Sequence, residues 1–235
     1  MKKIGIVCAM KVEKLAIEEK MTAKTNETFY SIPFVIGNIG NIKCILVQSG
    51  VGKVHAARTT QILIDNFNVN AILNVGVGGS LSPELNIGDV VISKHVVQHD
   101  FDITSFNHKK GYIPDVGDYI ECDKNLVRKF RNLIEEMNHN NFKTKIGIIA
   151  SGDMFCTEEK HREKIHRKFD ADIVDMECAA IAQVAYLDEV PFIGIRSVSD
   201  IPNGNNTSTF EENSQFASSR SAEILEKFCE QYWIV

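Results

Sequence analysis

The order in which apolar runs and amphipathic stretches follow one another constrains this chain more than any single motif. Short apolar runs of strand length recur along its 235 residues, separated by segments whose apolar residues fall three and four apart. The first run, Lys-Ile-Gly-Ile-Val-Cys at 3–8, lacks polar alternation, the pattern of a strand covered on both faces. Further strands are expected at 28–36, 42–48, 70–76, 88–97, 145–150, 171–174 and 191–198. A helix is expected at 53–67, with the stripe Ala56, Thr60, Leu63, Ile64 and Phe67, and another at 124–138, with Leu126, Phe130, Leu133, Ile134 and Met137. The stretch 176–187 is almost wholly small or apolar and reads as a buried helix; 211–232 presents Phe216, Ala217, Ile224, Leu225 and Phe228. Strands alternating with helices predict a mixed, mainly parallel sheet flanked by helices: a three-layer α/β sandwich in one domain, residues 1–235.

Composition narrows the class. Hydrophobic residues make up 44% and charged residues 24%, enough for one large core. A net charge of -5 argues against a nucleic-acid partner. No apolar run approaches the roughly 18 residues of a membrane span. Lys2 and Lys3 before Ile4–Met10 imitate a signal peptide, but Lys11 and Glu13 follow without a small-residue cleavage site, so a buried first strand in a cytoplasmic protein is expected. Cysteines 8, 44, 122, 156, 178 and 229 have no metal-like spacing and read as reduced core thiols. His161 and His166 sit in a charged helical stretch and read as solvated surface, so no metal is expected.

Ligands of such sheets bind beyond the carboxyl ends of the strands. There this chain places Cys-Ala-Met-Lys-Val-Glu up to Glu13, Ser49-Gly50-Val51-Gly52-Lys53, Asn74-Val75-Gly76-Val77-Gly78-Gly79-Ser80, Ser151-Gly152-Asp153-Met154-Phe155, Asp175-Met176-Glu177 and Arg196-Ser197-Val198-Ser199-Asp200. The glycines fit either turns or backbone facing a ligand. They form neither a dinucleotide fingerprint nor a P-loop, so no cofactor is expected. Two irregular stretches, 99–120 and 200–209, border the same ends. Glu177 could merely complement a helix N-terminus and Asp200 could cap a loop. Yet three carboxylates at strand ends, Glu13, Glu177 and Asp200, are the groups that glycosidic cleavage uses, an acid for the leaving group and a base for water.

Val-Asp-Met-Glu-Cys-Ala-Ala (174–180) and Arg-Ser-Val-Ser-Asp (196–200) resemble the 5'-methylthioadenosine/S-adenosylhomocysteine nucleosidases of the nucleoside phosphorylase and nucleosidase superfamily. Segments 5–13, 49–54 and 151–155 follow in the family's order, and the resemblance runs from residue 3 to about 230. It implies hydrolysis of the bond between adenine and a 5'-substituted ribose (5'-methylthioadenosine, S-adenosylhomocysteine or 5'-deoxyadenosine), a step of methionine salvage and methyl-cycle recycling. It implies Asp200 as general acid, oriented by Ser199. Glu13 would hold the attacking water, with Arg196 as partner to that water or its carboxylate. Glu177 would accept the ribose hydroxyls beside Met176 and Asp175. Phe155 would stack on adenine and the backbone of Cys156 would read its edge. Val77 and Gly78 would face the sugar. Met10, Val51 and Phe210 would line the 5' pocket. The family is typically a homodimer, so Ile103 and Phe106 would reach a neighbouring subunit. The chain departs from the family at Val77, where a small hydroxyl residue is usual, at Asp175, usually Glu, and at Cys156, often aliphatic.

Two other functions remain open. A purine nucleoside phosphorylase of the same fold would need a cationic cage for phosphate. The first arginine here is Arg58, inside a helix, and Glu13 follows the first strand. A non-catalytic nucleoside-binding protein would not need the three carboxylates.

Overall fold

The computed structural model describes residues 3–137 and 142–231. Strand β1 (Lys3–Cys8) lies inside the sheet, parallel to β4 (Ile42–Gln48) on one side and β5 (Ala71–Ser80) on the other. Beyond β4 come β3 (Ile32–Ile39) and the edge strand β2 (Thr22–Phe29), both antiparallel. On the other flank β10 (Phe192–Asp200) runs parallel to β5, and β6 (Val90–Gln98) pairs antiparallel with β10. The two-residue β7 (Ile120–Glu121) pairs with β6. Parallel to β6 lies β8 (Thr144–Ser151), and parallel to β8 lies β9 (Ile173–Asp175). At Gly79 and Ser80, β5 pairs with β9. The sheet therefore extends openly through β1, β4, β3 and β2 and closes on itself through β5, β10, β6, β8 and β9.

Helices α1 (Lys11–Glu18), α2 (Lys53–Phe67), α3 (Lys124–Glu136), α4 (Glu159–Phe169), α5 (Cys178–Leu187) and α6 (Asn206–Gln231) cover this sheet. The stripes of α2 and α3 face inward: Ala56, Leu63 and Phe67 are buried, as are Leu126, Phe130 and Leu133. Helix α5 packs on α2, and α6 lies over β10 and β5. All six cysteines are buried free thiols. No helix of the described residues is long and apolar enough to cross a membrane.

Four expectations change. The expected strand at 28–36 is two strands, turning at Tyr30 and Ser31, whose φ of 50° and 64° suit a two-residue hairpin loop. Strand β5 does not stop at 76: the glycine-rich run to Ser80 stays in the sheet, because a Cβ on Gly78 would meet the Val174 carbonyl at 2.7 Å. Helix α6 begins at Asn206, so only the first half of 200–209 is irregular. Residues 138 and 232, the expected helix ends, lie outside the described residues. His166 is half-buried and its Nδ1 donates to the Ala171 carbonyl at 2.8 Å, so it is no solvated surface residue.

Candidate active site

The site lies where β5 changes neighbours. Its first half runs beside β1 as far as Asn74; its last two residues pair with β9. Between the carboxyl ends of β1 and β9 the sheet opens, a switch point of the kind that holds ligands in α/β folds. A cavity of about 290 Å³ fills the gap.

Glu13 enters from the first turn of α1. It is 2% exposed, and its Oε2 accepts the N–H groups of Ala9 and Met10, both at 2.8 Å. Its Oε1 accepts the Val77 N–H at 2.9 Å. Burial raises its pKa, while Arg196 and the three N–H groups pull it back. A Cβ on Gly76 would collide with both Glu13 Oε1 and Arg196 Nη1, so glycine is what lets carboxylate and guanidinium approach over β5.

At the β9–α5 junction two acidic residues behave differently. Asp175 accepts from the Ser151 hydroxyl, from Cys178 N at 3.0 Å, and from Arg196 Nε at 2.7 Å and Nη2 at 2.6 Å. Arg196 is 1% exposed, and its Nη2 also donates to Asn74 Oδ1 at 2.6 Å. Burial works against its charge, but Asp175, Glu13 and Glu177 more than restore it. Glu177 caps α5. Its Oε1 accepts Gly52 N–H, one residue before α2, at 2.8 Å, while its Oε2 stays 3.9 Å from Arg196. Burial first, and Asp175 second, push the Glu177 pKa up.

Asp200 ends β10 at 1% exposure. Its Oδ1 accepts from Ser199 Oγ at 2.8 Å and its Oδ2 from Asn206 Nδ2 at 2.6 Å. Burial raises its pKa, and these two donors offset the rise in part.

Most nominated residues converge. Met10, Glu13, Val51, Val77, Gly78, Phe155, Cys156, Asp175, Met176, Glu177, Ser199, Asp200 and Phe210 line the cavity. Phe155 and Phe210 meet edge to face, with centroids 5.5 Å apart. Ala9, Gly79, Met154 and Val174 add to the wall. Arg196 lies behind it, and Ile103 and Phe106 lie outside it, Phe106 being 76% exposed. Sequence reasoning gave no role to Asn74, Gly52 or Asn206, although all three lie in the stretches it singled out. Asn74 had a signal, a lone polar residue in the apolar run Ala-Ile-Leu-Asn-Val. Among the described residues no lysine or arginine lines the cavity.

The phosphorylase superfamily model matches residues 3–230. A 5'-methylthioadenosine/S-adenosylhomocysteine nucleosidase of Staphylococcus carnosus is 41% identical over 94% of this chain and 96% of its own length. The crystal structure of S-adenosylhomocysteine nucleosidase from Streptococcus pyogenes, in complex with 5-methylthiotubericidin, is 35% identical with a TM-score of 0.93, covering 99% of this chain and 98% of that one. The native structure of futalosine hydrolase of Helicobacter pylori strain 26695 is 32% identical with a TM-score of 0.92, covering 98% of each chain. Likeness at these identities over nearly the whole chain establishes that it belongs to the 5'-methylthioadenosine/S-adenosylhomocysteine nucleosidases of the phosphorylase superfamily.

Proposed function

We propose that this protein hydrolyses the N-glycosidic bond of 5'-methylthioadenosine and S-adenosylhomocysteine, releasing adenine and the 5-substituted ribose for methionine salvage and methyl-cycle recycling. The observation that carries the hydrolytic reading is a cavity walled by Glu13, Glu177 and Asp200 with no cation on its surface among the described residues. Such a wall offers phosphate no counter-charge and accepts water.

In this reading the bond from the anomeric carbon to the purine breaks with its electron pair leaving on the base. Asp200 gives its proton to a nitrogen of the purine's five-membered ring, and the raised pKa of its carboxyl favours the protonated form. Positive charge then develops on the ribose, and Glu177 accepts the ribose hydroxyls beside Met176 and stabilises that charge. Water held by Glu13 attacks the anomeric carbon, giving its proton to the carboxylate. Arg196 acts from behind the wall, offsetting the charge of Glu13 and Glu177. Phe155 stacks on the purine, Phe210 lines the pocket of the 5' substituent, and the Cys156 backbone reads the purine edge. No step needs a cofactor.

Adenine release from 5'-methylthioadenosine, followed with and without phosphate, tests this. Equal rates are expected; strict dependence on phosphate would establish phosphorolysis instead. Intact nucleoside recovered after prolonged incubation would establish a binding protein.

We further infer that the chain acts in the cytoplasm as a homodimer, with Ile103 and Phe106 closing the neighbour's 5' pocket. The exposure of Phe106, of Val51 at 49% and of Val54 at 78% supports this surface. Phe106→Asp is expected to yield a monomer in sedimentation with a raised KM; an unchanged dimer with wild-type KM would refute it. 5'-Deoxyadenosine belongs in the substrate set because it shares the adenine-ribose core, and the likeness to futalosine hydrolase adds 6-amino-6-deoxyfutalosine to the comparison of kcat/KM.

A further inference from the structure

Asn206 is 1% exposed, lies behind the cavity wall, and is the first residue of α6. Its Nδ2 donates to two acceptors on different elements: Asp200 Oδ2 at 2.6 Å and the Cys156 carbonyl at 3.0 Å. One is the acid, and the other belongs to the residue whose backbone is assigned above to the purine; a single nitrogen joins them. Two neighbouring contacts run the same way. Gly204 N–H donates to the Thr157 carbonyl at 2.7 Å, and Phe210, one helical turn after Asn206, meets Phe155. The start of α6 is thus latched along 155–157 at three successive points, with the acid tied to the middle one.

We propose that Asn206 is a positioning residue for the general acid: it fixes the spacing between the Asp200 carboxyl and the Cys156 carbonyl, and it sets how firmly Asp200 holds its proton. A side-chain amide is suited to both tasks. One –NH₂ offers two hydrogens, so it can satisfy two acceptors at once. Donation to a carboxylate favours its charged form and lowers its pKa, so Asn206 works against burial and keeps the proton transferable. Asn206 Oδ1 is buried without a partner, so the amide's hold on this place comes from its nitrogen. The titratable groups facing Asp200 are few. From the 155–157 side comes the Cys156 thiol, pushed up to about 11 by burial and by Asp200. Glu13 and Glu177 face it across the cavity from α1 and α5, with Arg196 behind them.

The inference rests on Asp200 being the acid. The test is the pH dependence of kcat and kcat/KM for 5'-methylthioadenosine in Asn206→Ala and Asn206→Asp, with thermal melting as the control for folding. Asn206→Ala is expected to lower kcat about ten- to hundred-fold, through misplacement of the acid. It should also move the basic limb of kcat/KM up by about one pH unit, because a donor to the carboxylate is lost. Asn206→Asp keeps the shape and sets a second carboxyl against Asp200, so its limb moves up further; it carries the test if the alanine variant does not fold. Asn206→Ser, which keeps one donor, should recover part of the loss. A folded variant set with an unmoved basic limb would overturn the proposal, even if kcat fell evenly at every pH. If Asp200→Asn itself kept full activity, the assignment of the acid would fall first; if Asp200→Asn were inactive and the Asn206 limbs unmoved, only the role of Asn206 would fall.

Discussion

At the β9–α5 corner of the cavity, Asp175 and Glu177 are joined by Glu13 around one buried guanidinium, Arg196; at the β10–α6 corner, Asp200 is held by a hydroxyl and an amide. A cation among carboxylates favours their ionised forms, whereas neutral donors leave burial free to favour a bound proton. One end of the pocket is thus a cluster of carboxylates in which a buried cation works against the rise that burial imposes, and the other is a single acid in which only neutral donors do so. The same contrast recurs within the first corner. Asp175 takes every donor within reach and serves the scaffold, while Glu177, two residues on, keeps one N–H and turns to the cavity. Of these two neighbours, the one that takes more donors holds the fold together, and the one that takes a single N–H is available to a substrate.

The comparison breaks most sharply at the acid. Asp200→Asn keeps the shape but removes the transferable proton and leaves one acceptor where the carboxylate has two. A fall in kcat of about 10³-fold is expected, the usual scale of a lost general acid. Melting should not fall at neutral pH, since a carboxyl whose folded pKa is raised loses stability on ionising and asparagine does not ionise. Adenine release in single turnover measures this, and a variant within about ten-fold of wild type would move the acid elsewhere.

Next in size is the opposite corner, read as stability. Asp175→Ala leaves Arg196 buried without its main counter-charge, which costs about 3–5 kcal/mol. Melting should drop by about 10 °C for a domain of this size. A drop under about 3 °C would show that Glu13 and Glu177 alone can neutralise the guanidinium.

Glu177→Gln should do the reverse, more weakly. The folded pKa of Glu177 lies above its unfolded value, so the folded state binds more protons and ionisation works against folding. The penalty is absent below about pH 4 and grows as pH rises toward the folded pKa. Glutamine removes it while still accepting the Gly52 N–H. The variant should therefore be more stable than wild type by about 1 kcal/mol at pH 8 and equal to it near pH 4, while kcat falls about 10²-fold. Urea denaturation at both pH values checks the sign; a variant less stable at pH 8 would mean that Glu177 is needed as a partner to Arg196.

What was legible in the sequence follows from which interactions leave a local pattern. Burial on both faces leaves a continuous apolar run, so β1 could be read directly, as could the stripes of α2 and α3. Strand β2 leaves none, because it is an exposed edge written in Thr, Lys, Asn and Glu, and its turn at Tyr30 and Ser31 lacks the usual glycine. Glu13, Glu177 and Asp200 were visible as charges at the ends of apolar segments. Asn206 was not: it sits in a run of polar residues, and only the entry angle of α6 brings it back to Asp200. Nor could spacing assign Asp175 to the scaffold, since its partners Ser151 and Arg196 come from β8 and β10.

The smallest effect is expected midway between the two corners, at Val77. Its N–H holds Glu13 and its side chain faces the cavity beside Gly78, on the strand that joins the carboxylate cluster to the acid end. Val77→Thr preserves the branched shape and the backbone N–H, and adds one hydroxyl toward the sugar and the water held by Glu13. A neutral hydrogen bond contributes about 1 kcal/mol net, which corresponds to a rise in kcat/KM of about five-fold. Stability should change little, since the hydroxyl faces the cavity and not the core. A fall in kcat/KM would carry the opposite lesson: that this stretch of wall works by being apolar, keeping stray water from bridging the carboxylates at one end to the acid at the other. The two outcomes differ in sign, so even a modest effect decides whether the corners communicate through the sugar or are kept apart by the wall between them.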